Sequence, residues 1–369
     1  MIKRCEVIVV GAGPAGIVAA IAARKHGLQA TVLDARIPPI DKPCGEGILP
    51  QGVAALAALG ISLPAESAFP FRGIRFVQGT LSARADFAGA AGYSVRRVRL
   101  HQFLVNEALE AGVEFHWGAR VKQFSHDAVS TGREIFSYRW LVGADGQNSL
   151  VRKWAGLGPR SRRWKRFGFC THFQRSPWSD VTEVHWARDC QIFITPMAGQ
   201  EVGVAVLSGD TGLRLAAALA RFPHLEEKLR GAAQTTREVG ETTGLRILPA
   251  IARERVALVG DAAGTVDAVT GQGLSLAFQQ AIQLAEAMRR GGLRSYQQAH
   301  KEMAALPITM TRIMMLMGKN DWIRRRTIRL FQKSPELFAR MLALHTESIP
   351  LSSVGFREVA GFGWKFLRT

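Results

Sequence analysis

The feature that most limits how this chain can fold is a glycine spacing near its start. The apolar run EVIVV (residues 6–10) leads directly into Gly11-Ala12-Gly13-Pro14-Ala15-Gly16. Small apolar residues continue to His26 at helical density, and ATVLD (30–34) follows as a second short run ending in an acid, Asp34. Strand, glycine turn, helix and strand in this order make a βαβ unit, which commits the chain to a parallel sheet with helices on its faces. Gly11 permits the tight turn, Gly13 with Ala15 lets a pyrophosphate approach the backbone, and Gly16 lets helix and strand pack closely. The helix start offers free N–H groups and the positive end of a dipole. Asp34 falls where a carboxylate would accept ribose hydroxyls. The spacing therefore predicts a dinucleotide site, but does not by itself choose between FAD and NAD.

Further along, residues 53–59 read as a short helix, 71–77 and 81–87 as strands, 100–111 as an amphipathic helix, and RWLVGA (139–144) as a buried strand. Four β-like runs then follow, FGFCTHFQ, VTEVHW, QIFIT and EVGVAVL, broken by turn residues, as in a separate antiparallel sheet. RVALV (255–259) returns to the buried-strand pattern. The economical picture is α/β: a Rossmann-type nucleotide domain (1–66, 94–161 and 247–300) interrupted by a β-sheet substrate domain (67–93 and 162–246). A C-terminal helical region (301–369) completes it.

Composition narrows the class. With 369 residues, 47% of them hydrophobic and 21% charged, the chain suits a soluble globular protein of two lobes. No apolar run approaches the roughly 20 residues that span a bilayer, and MIKRCE does not open a secretory signal. The four cysteines, Cys5, Cys44, Cys170 and Cys190, are scattered. That excludes a zinc framework, predicts no metal, and fits a reducing cytoplasm. The net charge is +18, and residues 289–345 carry 12 Lys/Arg against 3 Asp/Glu. No nucleic-acid motif accompanies this charge, so nucleic acid is not an expected partner. Nothing in the sequence sets an oligomeric state.

Three further blocks carry chemistry. Arg97-Val-Arg-Leu-His precedes a helix. Leu141-Val-Gly-Ala-Asp145-Gly146 closes a strand. Gly260-Asp261-Ala-Ala-Gly264 continues to Thr270-Gly271-Gln272-Gly273-Leu274-Ser275, at the head of a long helix. With the glycine motif, in this order, they resemble the FAD-dependent p-hydroxybenzoate hydroxylase-like superfamily, which includes aromatic-ring hydroxylases, flavin halogenases and geranylgeranyl reductases. The resemblance covers roughly residues 1–290. It implies FAD, with Gly11, Gly13 and Gly16 at the pyrophosphate, Asp34 at the adenosine ribose and Arg97 reaching the cofactor. Asp145 and Gly146 would support FAD and the approach of a transiently bound NAD(P)H, and Asp261 the ribityl and pyrophosphate region. Gly271, Gly273 and Leu274 would set a helix N-terminus against the pyrimidine end of the flavin, where a positive helix end stabilises a reduced, anionic ring.

The resemblance also implies that the loop KPCGEGILPQG (42–52) passes beside the flavin ring, making Cys44 and Glu46 catalytic candidates. On the substrate sheet, Gly168, Cys170, His172 and Gln174 share one face of their strand, and His172 is the general-base candidate. Glu183 and His185 share a face as well and read as an exposed ion pair. In the C-terminal region, Trp322, Ile323, Thr327, Leu330 and Phe331 form an expected buried stripe, opposite Arg324, Arg325 and Arg329. That region reads first as ordinary packing against the FAD domain; the sharper alternative is a lid over a long apolar substrate, loosely attached to anionic membrane. The leading functional reading is an NAD(P)H- and O2-dependent monooxygenase hydroxylating an apolar aromatic or polyketide-like small molecule. Cys44 in its PCG setting keeps a flavin-dependent reductase of isoprenoid or lipid double bonds as the alternative, and a non-catalytic escort protein on the same fold comes third.

Overall fold

The computed structural model describes residues 2–158, 165–353, 355, 363, 365, 366 and 368. The expected domain boundary at 161–162 lies outside the described residues. The first sheet is built on parallel strands in the order Val256–Leu258, Ile135–Gly143, Ile2–Val10, Ala30–Asp34 and Glu114–Trp117. The order reverses beside Ile2–Val10, which pairs in parallel with Ile135–Gly143 on one side and Ala30–Asp34 on the other. That is a topological switch point, where open α/β sheets hold ligands beyond the strand ends. Register makes those ends level: Val10 stands opposite both Leu33 and Gly143, and Gly143 opposite Leu258. Each strand therefore delivers its next residues, Gly11, Asp34, Ala144 and Val259, to one edge.

The helix Pro14–Lys25 forms because its small residues can lie flat on the sheet. Every position from Gly16 to Ala23 is buried. Two glycines make the approach possible. Gly11 has φ 108°, and a Cβ on it would stand 2.4 Å from the Ala144 carbonyl oxygen. A Cβ on Gly16 would stand 2.0 Å from the Gly11 carbonyl oxygen. The long helix Gly273–Arg289 packs against Pro14–Lys25 and extends the same core.

A second sheet of seven strands runs in the order Val239–Thr243, Arg166–Gln174, Glu201–Ser208, Cys190–Met197, Thr182–Trp186, Gly73–Gln78 and Leu81–Asp86. It is antiparallel except where Thr182–Trp186 meets Gly73–Gln78. One face carries its own apolar cluster with the short helices around Leu215 and Leu225. The other packs, through Phe76, Trp186 and Leu207, toward the helices Asp321–Lys333 and Pro335–His345. Three short strands, Gly47–Ile48, Ala68–Phe71 and Gly92–Val95, form a small third sheet.

Two expectations from periodicity are reversed. Arg324 is 1% exposed while Trp322 is 55% exposed. The Arg324 guanidinium donates to the carbonyls of Met317 (3.0 Å) and Gly318 (3.3 Å) at the end of helix Arg294–Lys319, to Gln78 Oε1 (3.1 Å) and to Asp321 Oδ1 (2.6 Å). The last carbonyls of a helix lack intrahelical partners and carry negative partial charge, so a cation is favoured there even when buried. Glu183 and His185 are likewise buried rather than exposed. Glu183 Oε2 lies 3.0 Å from His185 Nε2 and accepts from Trp178 Nε1, while its Oε1 accepts from Arg75. Burial alone would raise the Glu183 pKa, but the His185 hydrogen bond and charge, with help from Trp178 and Lys228, bring it down to about 2.

Candidate active site

A single cavity of about 1020 Å³ begins at the level strand ends and continues between the second sheet and the C-terminal helices. Its sheet end is lined by Gly11, Gly13, Ala15, Asp34, Arg97, Asp145 and Gly146. Beyond them come Cys44 and Glu46 on one wall and Asp261, Gly271, Gly273 and Leu274 on another. Of the residues read from the sequence, Gly16 and His172 do not line it. Gly16 is consumed by the close packing just described.

Asp34 holds the glycine turn as well as facing the cavity: its Oδ2 accepts from Ala12 N (2.6 Å) and its Oδ1 from Arg36 N (2.8 Å). Asp145 caps the short helix Leu150–Trp154, accepting from Leu150 N (2.6 Å) and Val151 N (3.2 Å) through Oδ2, while its buried Oδ1 has no partner among the described residues. Asp261 is enclosed by protein yet projects into open cavity. Enclosure pushes its pKa up, against the pull of Lys42, Arg246 and Arg97.

Arg97 opens the helix Arg97–Glu110. Its side chain is buried, burial pushes its pKa down, and Nη1 has no hydrogen-bond partner among the described residues. Nη2 reaches to 4.0 Å from where a Cβ on Gly13 would lie. Two helix starts also face the cavity. Neither Pro14–Lys25 nor Gly273–Arg289 has a side-chain cap or an acid in its first turn. Added Cβ atoms on Gly271 and Gly273 would meet nothing within 4 Å. A buried cation that forms no ion pair among the described residues and two uncapped helix N-termini around one cavity suit a long, polyanionic group.

The loop at Cys44 is pinned through Glu46, which sits at φ 59°. Its carboxylate is buried and bridges two elements: Oε1 accepts from Arg97 N (2.6 Å), and Oε2 lies 2.5 Å from His172 Nε2. The other ring nitrogen, His172 Nδ1, is 2.8 Å from Thr236 Oγ1. Both nitrogens being held inside the protein, His172 positions Glu46 rather than presenting a base to the cavity. Glu46 and His172 are the two sequence candidates brought together; Thr236 was not singled out. Glu46 N donates to Cys44 Sγ at 3.3 Å, and burial raises the Cys44 pKa, so the thiol stays protonated. Cys170 lines the same wall against the Cys44 backbone, its pKa pushed up to about 12 by burial.

His345 was also missed, because nothing in its local sequence marks it. It ends helix Pro335–His345, lines the cavity and sits 2.9 Å from the Thr270 carbonyl through Nε2, while its own carbonyl accepts from Gln272 Nε2 (2.9 Å). Burial lowers its pKa to about 4, so near neutrality the ring is uncharged and Nε2 carries the proton it donates to Thr270.

Residues 4–292 match the family model described as FAD binding domain. The chain belongs to that family. FAD is its cofactor, and the flavoprotein fold expected from the four motifs is the one observed. Among relatives of this FAD-binding family, the menaquinone reductase of Mycolicibacterium smegmatis is 29% identical over 340 residues, spanning 81% of this chain and 80% of the relative. The kynurenine 3-monooxygenase of Salinispora arenicola is 26% identical over 348 residues, 81% and 77% of the two chains. A solved flavoprotein/dehydrogenase from Cytophaga hutchinsonii superposes with TM-score 0.79 at 18% identity, covering 92% of each chain. The protein is an FAD-dependent oxidoreductase of a family that holds both reductases and monooxygenases. Among the described residues there is no metal-ligating cluster and no helix long and apolar enough to cross a membrane.

Proposed function

We propose that the protein is an NAD(P)H- and O2-dependent monooxygenase that hydroxylates a small molecule with an apolar aromatic or polyketide-like body. FAD supplies the redox chemistry. Gly11, Gly13 and Ala15 at the first helix start, with Arg97, would hold its pyrophosphate, and Asp34 its adenosine ribose. Asp145, Gly146 and Asp261 would line its middle. Gly271, Gly273 and Leu274 would turn a helix start toward the flavin, where the dipole favours the negative charge of the reduced state.

The observation that carries the reading is the far half of the cavity. Past the Cys44 loop it is walled by Phe76, Val184, Phe193 and Leu207 from the second sheet and by Met314, Phe331 and Phe338 from the C-terminal helices. Such a chamber takes an apolar substrate and keeps water from the reacting atoms. The overall reaction balances as substrate, O2, NAD(P)H and a proton giving hydroxylated substrate, NAD(P)+ and water. The kynurenine 3-monooxygenase relative supports it.

A second reading is favoured by one specific observation. Cys44 presents a thiol that burial keeps protonated, on the wall between flavin cradle and chamber. In reduction of a substrate double bond, hydride goes to one carbon and Cys44 Sγ–H supplies the proton to the other. The menaquinone reductase relative, a reductase by name, supports it. One experiment separates the two: NAD(P)H oxidation by the holoenzyme with alkylphenol and polyprenyl substrates, with and without oxygen. Hydroxylated product and one O2 consumed per product support the monooxygenase. Saturated product formed without oxygen overturns it in favour of the reductase.

A further inference from the structure

Part of the chamber wall lies away from the dinucleotide cradle, on the helices that roof it. Two large apolar side chains there are exposed as well as part of the cavity wall. Ile313, 40% exposed, and Leu316, 52% exposed, meet both conditions near the end of helix Arg294–Lys319. Trp322, the second residue of the next helix, stands exposed, and its neighbour Ile323 lines the chamber. Three large apolar side chains are thus exposed at the elbow between helices Arg294–Lys319 and Asp321–Lys333, the Trp322 indole lying edge-to-face with Phe366 (5.7 Å) and beside the Arg326 guanidinium (5.0 Å).

Exposed arginines outnumber the one acid at this elbow. Arg325 and Arg329 are exposed and follow Trp322 at helical spacings of three and seven, on the same face. Arg312 is exposed beside Ile313. The acid in the elbow, Asp321, is engaged by Arg324 and Gln78. Apolar side chains with an indole among them, ringed by arginine, match a bilayer interface, where indole sits at headgroup depth and arginine meets anionic lipid. Nucleic acid would use the arginines but has no need of Ile313 and Leu316, and a polar ligand has no use for an apolar doorway.

We propose that this elbow docks the protein on an anionic phospholipid surface and opens the chamber directly to the bilayer. Substrate passes between hydrocarbon and chamber past Ile313 and Leu316 without crossing water. The inference rests on reading the chamber as the substrate site, but docking is measured without turnover, so the two fail separately.

The test is co-sedimentation of the FAD-loaded protein with vesicles of phosphatidylcholine alone or with about a third phosphatidylglycerol. Binding should appear with the anionic vesicles and weaken with salt, since screening sets in within about 8 Å at physiological ionic strength. Replacing Arg312, Arg325 and Arg329 with Gln should weaken partitioning by roughly fivefold for each arginine. Trp322→Ser should weaken it further while FAD content and thermal midpoint hold. Should the arginine variant not fold, quenching of wild-type tryptophan fluorescence by brominated anionic lipid, reduced in Trp322→Phe, decides the matter. Equal binding to neutral and anionic vesicles, or none to either, overturns the proposal. So does a Trp322-dependent dimer in light scattering that ignores vesicles, which would assign the patch to a second copy of the chain.

Discussion

Replacing Arg97 with Met tests the cradle from two sides. In the protein without FAD, the guanidinium is 6% exposed and Nη1 has no partner among the described residues. A buried cation that forms no ion pair among the described residues is a burden on the fold, and burial lowers the Arg97 pKa although Cys44, Asp41, Glu46 and Asp261 pull it the other way. In the proposed assignment, the same group would face phosphate when FAD is bound. A hydrogen bond to a charged partner contributes about 1.5–3 kcal/mol, so its loss should weaken FAD binding by about ten- to a hundredfold. Met fills a similar volume without charge, and swaps of buried charge for packed apolar groups gain about 1–4 kcal/mol in favourable cases. Arg97→Met should therefore melt higher than wild type as apoprotein and bind FAD less tightly. Flavin fluorescence titration of the apoprotein gives the affinity, and thermal melts with and without FAD give the stabilities. Unchanged FAD affinity would refute the assignment of Arg97 to the cofactor. A lower apoprotein melting temperature would refute the argument that its charge is unpaired there.

Gly16→Ala should lower stability by about 3 kcal/mol and impair FAD loading, because its Cβ would stand 2.0 Å from the Gly11 carbonyl oxygen; chemical denaturation measures it. Cys44→Ser should retain FAD by absorbance, keep O2-coupled hydroxylation under the leading reading, and lose double-bond reduction under the second. Glu183 has its pKa depressed from 4.5 to about 2. Its ionised form therefore contributes stability that is full above pH 4.5 and lost as the pH falls toward 2. Urea melts of Glu183→Gln should show a flatter acid limb across that window, with lower stability at neutral pH where the Arg75 and His185 partners face a neutral amide. Removing the Thr236 hydroxyl as Val should free one His172 ring nitrogen, loosen its hold on Glu46 and lower turnover while leaving FAD content intact.

The parts legible in the sequence were those whose physics is local. The glycine turn, the small-residue helix and Asp34 lie within one βαβ unit, so spacing alone placed them at a common edge. The Asp145 and Asp261 turns were recognisable because each follows a buried strand, and parallel register brings strand ends level. The Glu46–His172 pair was not legible as a pair. Its members are 126 residues apart and meet only when the second sheet folds over the Cys44 loop. Period-2 reading correctly put His172 beside Cys170 but could not show that Glu46 and Thr236 would occupy both ring nitrogens. The reversal at Arg324 and Trp322 has a similar origin. Helical periodicity separates two faces, but which residues are covered depends on what a neighbouring helix end needs, and there Met317 and Gly318 needed a donor.

Arg324 has a mechanical consequence. Through Met317 and Gly318 it grips one roof helix, through its own backbone it belongs to the next, and through Gln78 it is tied to the second sheet beneath. Roof and floor of the chamber are riveted together at that point, so the helices cannot swing away from the sheet as a hinged lid without stripping a buried guanidinium of its acceptors. If the chamber takes substrate as proposed, cargo exchange goes through a fixed port, and the vessel keeps its volume between loads. Selection among cargoes then falls to the dimensions of a rigid interior rather than to the timing of a closing door.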